Sequence, residues 1–95
     1  MNAFDEMVLV GRIARPHGLK GQVVINPETD FVEERFAPGQ ALWVRIAGRD
    51  EQLTVATSRV HGRRPIVGFE NVARIEDAER LSGLELRVPE QALRA

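Results

Sequence analysis

Proline and glycine cut this chain into short runs, and that punctuation constrains its fold more than any other feature. Pro16-His17-Gly18, Asn26-Pro27, Ala37-Pro38-Gly39 and His61-Gly62 each bound a stretch in which apolar side chains alternate or cluster. Turn residues of this kind separate β-strands. Residues 7–15 alternate loosely, with Val8, Val10 and Arg12 on one side and Leu9 and Ile13 on the other, and end at the Arg15-Pro16-His17-Gly18 turn. Residues 22–26 hold the β-branched run Val23-Val24-Ile25. Residues 41–46 place Leu42, Val44 and Ile46 on one face and Trp43 on the other. Residues 52–60 carry Leu53 and Val55 at period two and then lose alternation, as at a bulge or a sheet edge. His61-Gly62-Arg63-Arg64 reads as a hairpin turn into residues 65–70. Leu84, Leu86 and Val88 alternate with Glu85 and Arg87 in a last strand over residues 84–88.

The one convincing helix spans residues 75–82, with Ile75, Ala78 and Leu81 at helical spacing and Gly83 as its stop. At about two turns it must dock across a sheet to persist. A weaker helical turn is expected at residues 31–36, after Thr29-Asp30. Six short strands without a strand–helix–strand rhythm predict an all-β fold: a closed, six-stranded antiparallel β-barrel with one short helix. Closure leaves no strand edge open to aggregation. A chain of 95 residues has room for one such core. Its 43% apolar residues exclude a disordered chain.

Several function classes drop out. With no cysteine, the chain has no disulfide, no thiolate metal site and no cysteine nucleophile. The start, Met1-Asn2-Ala3-Phe4-Asp5-Glu6, is acidic where a signal peptide is basic, and no apolar run reaches membrane-spanning length. A cytoplasmic protein with no membrane partner is expected. The net charge is −1, but unevenly spread. Arg45, Arg49, Arg59, Arg63 and Arg64 crowd the middle, while Glu70, Glu76, Asp77, Glu79, Glu85 and Glu90 dominate the C-terminal part. Domains that bind nucleic acid mainly through phosphates usually carry a clear positive charge. A protein partner, or RNA touched along one local basic edge, fits better.

Two basic turns are candidate contact sites. In Pro16-His17-Gly18-Leu19-Lys20-Gly21, which follows Arg15, Gly18 and Gly21 permit positive φ while His17 and Lys20 supply donors. The loop reads either as a contact for a protein or for RNA phosphate, or as a tight connection whose glycines serve geometry alone. Arg59, Arg63 and Arg64 around His61-Gly62 could clasp phosphate or carboxylate; the plainer reading is a solvated hairpin tip. Trp43 is either an exposed contact or core, and Phe31 and Phe36 either plug a barrel end or form a docking patch. Catalysis has little support. His17 and His61 sit in separate turns, without the spacing of a serine–histidine–acid triad or a metal site, and no dinucleotide fingerprint occurs. No enzyme activity, cofactor or metal is expected. A flavin-type barrel carrying a small molecule remains a rival, as does a generic RNA-binding barrel, whose affinity would fall steeply with salt.

Val10-Gly11-Arg12-Ile13-Ala14-Arg15-Pro16-His17-Gly18-Leu19-Lys20-Gly21-Gln22-Val23 resembles the opening of the RimM family, with a glycine–arginine strand, a proline–histidine–glycine turn and a leucine–basic–glycine step. Thr29-Asp30-Phe31, Phe36-Ala37-Pro38-Gly39 and Ala78-Glu79-Arg80-Leu81-Ser82-Gly83-Leu84-Glu85-Leu86 follow where that family has similar elements. The resemblance runs in order over nearly the whole chain. It implies a barrel like those of translation factors over residues 1–90. Residues 91–95 then form a frayed tail at the boundary to a PRC-type barrel domain that this chain lacks. It implies a ribosome maturation factor that binds the free small ribosomal subunit and the nineteenth small-subunit ribosomal protein, and a monomer is expected. Such a factor aids maturation of the subunit head and processing of small-subunit ribosomal RNA. Under that reading Arg15, His17, Gly18, Lys20, Arg59, Arg63 and Arg64 are the partner-binding residues. One departure stands out: Ala73-Arg74 precede the helix where family members often carry a capping aspartate or threonine, leaving Asn71 as the nearest side chain able to cap.

Overall fold

The computed structural model describes residues 4–93. Six strands form a closed antiparallel barrel: β1 (Val8–His17), β2 (Gln22–Pro27), β3 (Ala41–Ile46), β4 (Arg49–His61), β5 (Arg64–Phe69) and β6 (Glu85–Val88). Around the barrel they run β1-β2-β5-β4-β3-β6 and back to β1. Two short helices, α1 (Val32–Arg35) and α2 (Ile75–Glu79), lie in the connections, and 3-10 turns occupy Phe4–Glu6 and Glu90–Leu93. The core is continuous. Val10, Ile13, Val23, Ile25, Leu42, Val44, Val67 and Leu86 fill the barrel, and Ala78 and Leu81 join them from the α2 region.

β1 departs from its sequence reading. Val10 and Ile13, assigned to opposite sides, are both fully buried in the core. A regular strand cannot do this across an odd separation. The register of β1 against β6 shifts between Leu9 and Gly11, and against β2 between Ile13 and Arg15. These bulges turn Ile13 inward and leave Arg12 outside, paired with Glu85 at 3.2 Å. The strand also runs two residues past its expected end at Arg15, into the expected turn, so Pro16 and His17 still pair with Val23 and Gln22.

The loss of alternation in β4 is a bulge, between Val55 and Thr57, and not an edge: β4 lies between β3 and β5. Phe36 is the plug, its ring lying against the position where Gly11 lacks a Cβ; a methyl there would sit 3.1 Å from the ring. Its partner Phe31 is 60% exposed. Trp43 is half-buried and stands outside the core cluster. Helix α2 is shorter than expected and begins at Arg74 without a side-chain cap. Asn71 does not cap it, being held in the left-handed region at φ 67. At the other end Gly83, also left-handed, donates to the Ile13 carbonyl at 2.7 Å and returns the chain to β1. Glu90–Leu93 forms a 3-10 turn with Leu93 packed on the core, and Arg35 donates to the Ala92 carbonyl at 3.1 Å. Arg94 and Ala95 lie outside the described residues.

The barrel has one thin seam. β3 and β6 share a single register pair, Trp43 with Arg87. Phe4 covers this seam, 6% exposed, with the guanidinium of Arg45 (β3) 4.9 Å and that of Arg87 (β6) 4.8 Å from its ring centroid. Arg87 also donates to the Phe4 carbonyl at 3.2 Å and to Glu85 at 2.6 Å. Nothing in the sequence pattern marked Phe4 for this place.

Candidate functional site: a basic notch on the β1-β2-β5-β4 face

The two basic segments lie more than forty positions apart in the chain and meet in space. Pairing of β2 with β5 sets the β1–β2 hairpin beside the β4–β5 hairpin. One row of partners then crosses four strands: Arg15 with Val24, Val24 with Ile66, Ile66 with Arg59. Val23 and Val67 point into the core, so their neighbours Val24 and Ile66 must point outward. Both are nevertheless buried, at 4% and 5% exposure. Their cover is basic. Arg15, His17, His61 and Arg64 line a pocket of about 110 Å³ whose floor is Val24 and Ile66. Arg59, from the far end of the row, reaches back to His17, with Nη2 3.2 Å from the imidazole Nε2. The backbones at the two ends of the row are three strand spacings apart, about 14 Å. Arg59 and His17 therefore lean toward each other over β5 and β2, and the arginine stem shields apolar surface while its head stays in water.

The notch has an unusual charge environment. No carboxylate lines it. Among the described residues the ion pairs engage Arg12, Arg45 and Arg87, and none engages Arg15, Arg59, Arg63 or Arg64. A guanidinium has no acceptor, so in the contact with Arg59 the His17 Nε2 must accept and carry no proton. Beside this notch, Gly68 keeps the outer face of β5 low: a methyl there would lie 2.6 Å from the Thr57 Oγ1.

The other expected contact residues are dispersed. Arg63 parts from Arg64 and faces a separate depression lined by Asp30 and Glu33, so the adjacent arginines do not clasp one group together. Gly18 and Lys20 sit at the exposed tip of the β1–β2 hairpin beside Leu19, which is 77% exposed. The two loop glycines also differ. Gly18 has φ 71 with open space around it, whereas a methyl on Gly21 would fall 2.4 Å from the Val72 carbonyl oxygen. Gly21 therefore anchors the hairpin against the segment leading to α2. Sequence reasoning named Arg15, His17, Arg59 and Arg64 as contact residues but not their apolar floor of Val24 and Ile66, because register across four strands and two bulges is not visible in one dimension.

Away from the notch, the charge reverses. Glu51, Glu70 and Asp77 line a cleft of about 320 Å³ with Arg80, which accounts for a near-zero net charge on a strongly polarised surface. Among the described residues no group of three or more His, Asp or Glu side chains comes together to hold a metal ion. The imidazole of His17 faces an arginine rather than a carboxylate, an arrangement that recognises an anion more readily than it activates a nucleophile.

Comparison with known proteins agrees with this architecture. The family model described as the RimM N-terminal domain matches residues 8–93. A ribosome maturation factor RimM from Corynebacterium urealyticum is 47% identical over 74 residues, covering 78% of this chain and 38% of the relative. One from Bacillus licheniformis is 41% identical over 86 residues, covering 88% of this chain and 49% of the relative. This chain thus spans less than half the length of those two relatives. Among solved structures, a RimM protein from Pseudomonas aeruginosa superposes with a TM-score of 0.82 at 23% identity, over 93% of this chain and 53% of its own. The solution structure of the N-terminal domain of RimM from Thermus thermophilus superposes at 0.71 with 22% identity, over 94% of this chain and 95% of its own. At those identities the likeness concerns the fold.

Proposed function

The chain belongs to the RimM N-terminal domain family, and from that premise we propose that it is a non-catalytic binding module serving ribosome maturation in the cytoplasm. It docks on the free small ribosomal subunit during maturation of the head and supports processing of small-subunit ribosomal RNA, with the nineteenth small-subunit ribosomal protein as a partner. A second, PRC-type barrel domain completes the factor. The observation that carries this reading is the convergence of two sequence-distant basic segments on one face, joined at Arg59 and His17. A surface of unpaired arginines over an apolar floor is organised for a partner, not for a reaction. The hairpin tip adds a second contact of different chemistry. Leu19, exposed beside Lys20, suits a protein surface that buries one aliphatic side chain and meets one cation.

Co-sedimentation with purified free small subunits tests this. Replacing Arg15, Arg59 and Arg64 together by alanine is expected to lower the bound fraction at least tenfold, with the circular dichroism spectrum unchanged. Binding at the original level in that variant would show that this face is not the contact.

A further inference from the structure

The notch also has a size, a lining and a charge pattern that specify what it takes. At about 110 Å³ it is well below the roughly 300 Å³ at which small-molecule pockets begin, and a few times the roughly 30 Å³ of a water molecule. That is room for one oxyanion and not for a base or an aromatic anchor. No Phe or Trp stands in its lining, which leaves only two imidazoles and the guanidinium planes as surfaces on which a base could stack. Its donors, by contrast, converge. Arg15 and Arg64 line it with two imidazoles, Arg59 reaches to its rim, and no acidic group neutralises them. Planar guanidinium forks match tetrahedral and carboxylate oxyanions in bidentate fashion. The arginines stand on opposite sides of a floor about 14 Å wide between backbones. That spread suits a chain of regularly repeated charges better than the single carboxylate of a protein side chain.

We propose that the Arg15–His17–Arg59–Arg64 notch seats a backbone phosphate of folded ribosomal RNA and reads no sequence. The inference rests on the module reading above and deepens it: the notch meets RNA while the Leu19 hairpin tip meets protein. In the empty notch Arg59 uses His17 as its acceptor. A bound phosphate oxygen replaces that acceptor and frees the imidazole to turn its own N–H toward the anion. The exchange is local, and the apolar floor supports both states without rearrangement.

An NMR titration of the isotope-labelled chain tests this with three probes: a short RNA hairpin of arbitrary sequence, inorganic phosphate, and a glutamate-rich peptide. The RNA is expected to shift the amides of Arg15, His17, Arg59 and Arg64, with affinity changing less than about twofold when the hairpin sequence is permuted. Inorganic phosphate should shift the same amides at higher concentration. With the three arginines on the seated phosphate and its two flanking neighbours, the slope of log affinity against log salt is expected between about −2.1 and −2.7, so a fourfold rise in salt weakens binding roughly 20- to 40-fold. Arg59→Gln with Arg64→Gln should bring the slope to about −1. Arg59→Lys with Arg64→Lys should keep the slope at lower affinity, which separates lost charge from lost folding. A response to the peptide with silence toward RNA and phosphate overturns the phosphate assignment. If co-sedimentation with small subunits is nevertheless lost in the double glutamine variant, the module reading stands and only the RNA assignment fails. If co-sedimentation survives that variant and RNA is silent, both fail.

Discussion

Replacing Phe4 by alanine probes how the barrel is closed. The β3–β6 seam rests on one register pair, and the Phe4 ring spans it between a guanidinium on each strand. Truncating a buried phenylalanine to alanine typically costs about 3–5 kcal/mol. Phe4 packs on the outer face of the seam, outside the core cluster, where neighbours can relax, so about 3 kcal/mol is the reasonable value here. Two cation–π contacts of about 0.5–1 kcal/mol each are included in that figure. For a domain of this size 1 kcal/mol moves the melting temperature by roughly 4–8 °C, so a fall of about 12–24 °C is expected. Phe4→Leu keeps most of the apolar burial and loses only the ring electrostatics; it should cost about 1–2 kcal/mol. Thermal and urea unfolding give the totals, and amide hydrogen exchange gives the location. Protection should fall first in Ala41–Ile46 and Glu85–Val88 and last in the β1–β2 pair. Loss spread evenly over all six strands, or a cost below about 0.5 kcal/mol, would refute the idea that this ring staples the seam.

Two further outcomes follow from the same geometry. Gly18→Ala and Gly21→Ala share the left-handed penalty of about 1–2 kcal/mol, but only the second drives a methyl to 2.4 Å from the Val72 carbonyl oxygen. Chemical denaturation should therefore show Gly21→Ala costing about 1–3 kcal/mol more than Gly18→Ala; equal costs would remove the anchoring role from Gly21. The Glu85 carboxyl is held below the usual carboxylate range, chiefly by its hydrogen bond from Arg87 and further by the charges of Arg87 and Arg12, against the opposing effect of burial. Because the folded pKa is lowered, Glu85 contributes stability that is present above the ordinary carboxylate range and lost as pH falls through the lowered value. Glu85→Gln should accordingly flatten the acid limb of the stability–pH curve, and an unchanged limb would show that other carboxylates set it.

The sequence carried the strands well and the surface poorly. Residues 41–46 alternate cleanly and form a strand with those bounds, because β3 runs regular and unbulged against β4. β1 was misassigned face by face, since one extra residue at a bulge flips every side chain after it and leaves no mark in a hydropathy pattern. The helix was overextended because Leu81 keeps helical spacing while its backbone has already tightened into turns bonded three residues back. The basic residues of the notch were legible as types in turns. Their convergence depends on the β2–β5 pairing, which joins segments far apart in the chain and has no local signature.

That same pairing explains how a nearly neutral domain can hold a strongly basic site. The two hairpins contribute their arginines to one outer face, while the carboxylates of Glu70 and Asp77, which follow β5 in sequence, are carried round to another side of the barrel together with Glu51 of β4. Attraction to an anionic partner is then directional: the notch draws it in and the acidic cleft turns it away. A uniformly basic surface would bind any part of a ribosome and would hold the factor in many unproductive poses. With a phosphate in the notch as proposed, orientation would be set before contact, and the 77% exposed Leu19 at the neighbouring hairpin tip would face whatever lies beside it. Because Gly21 fastens that hairpin to the segment leading into α2, the distance between notch and tip is a property of the barrel and not of a mobile loop. Specificity for one place on the subunit can therefore arise from two weak contacts at a fixed separation, neither of which reads a base.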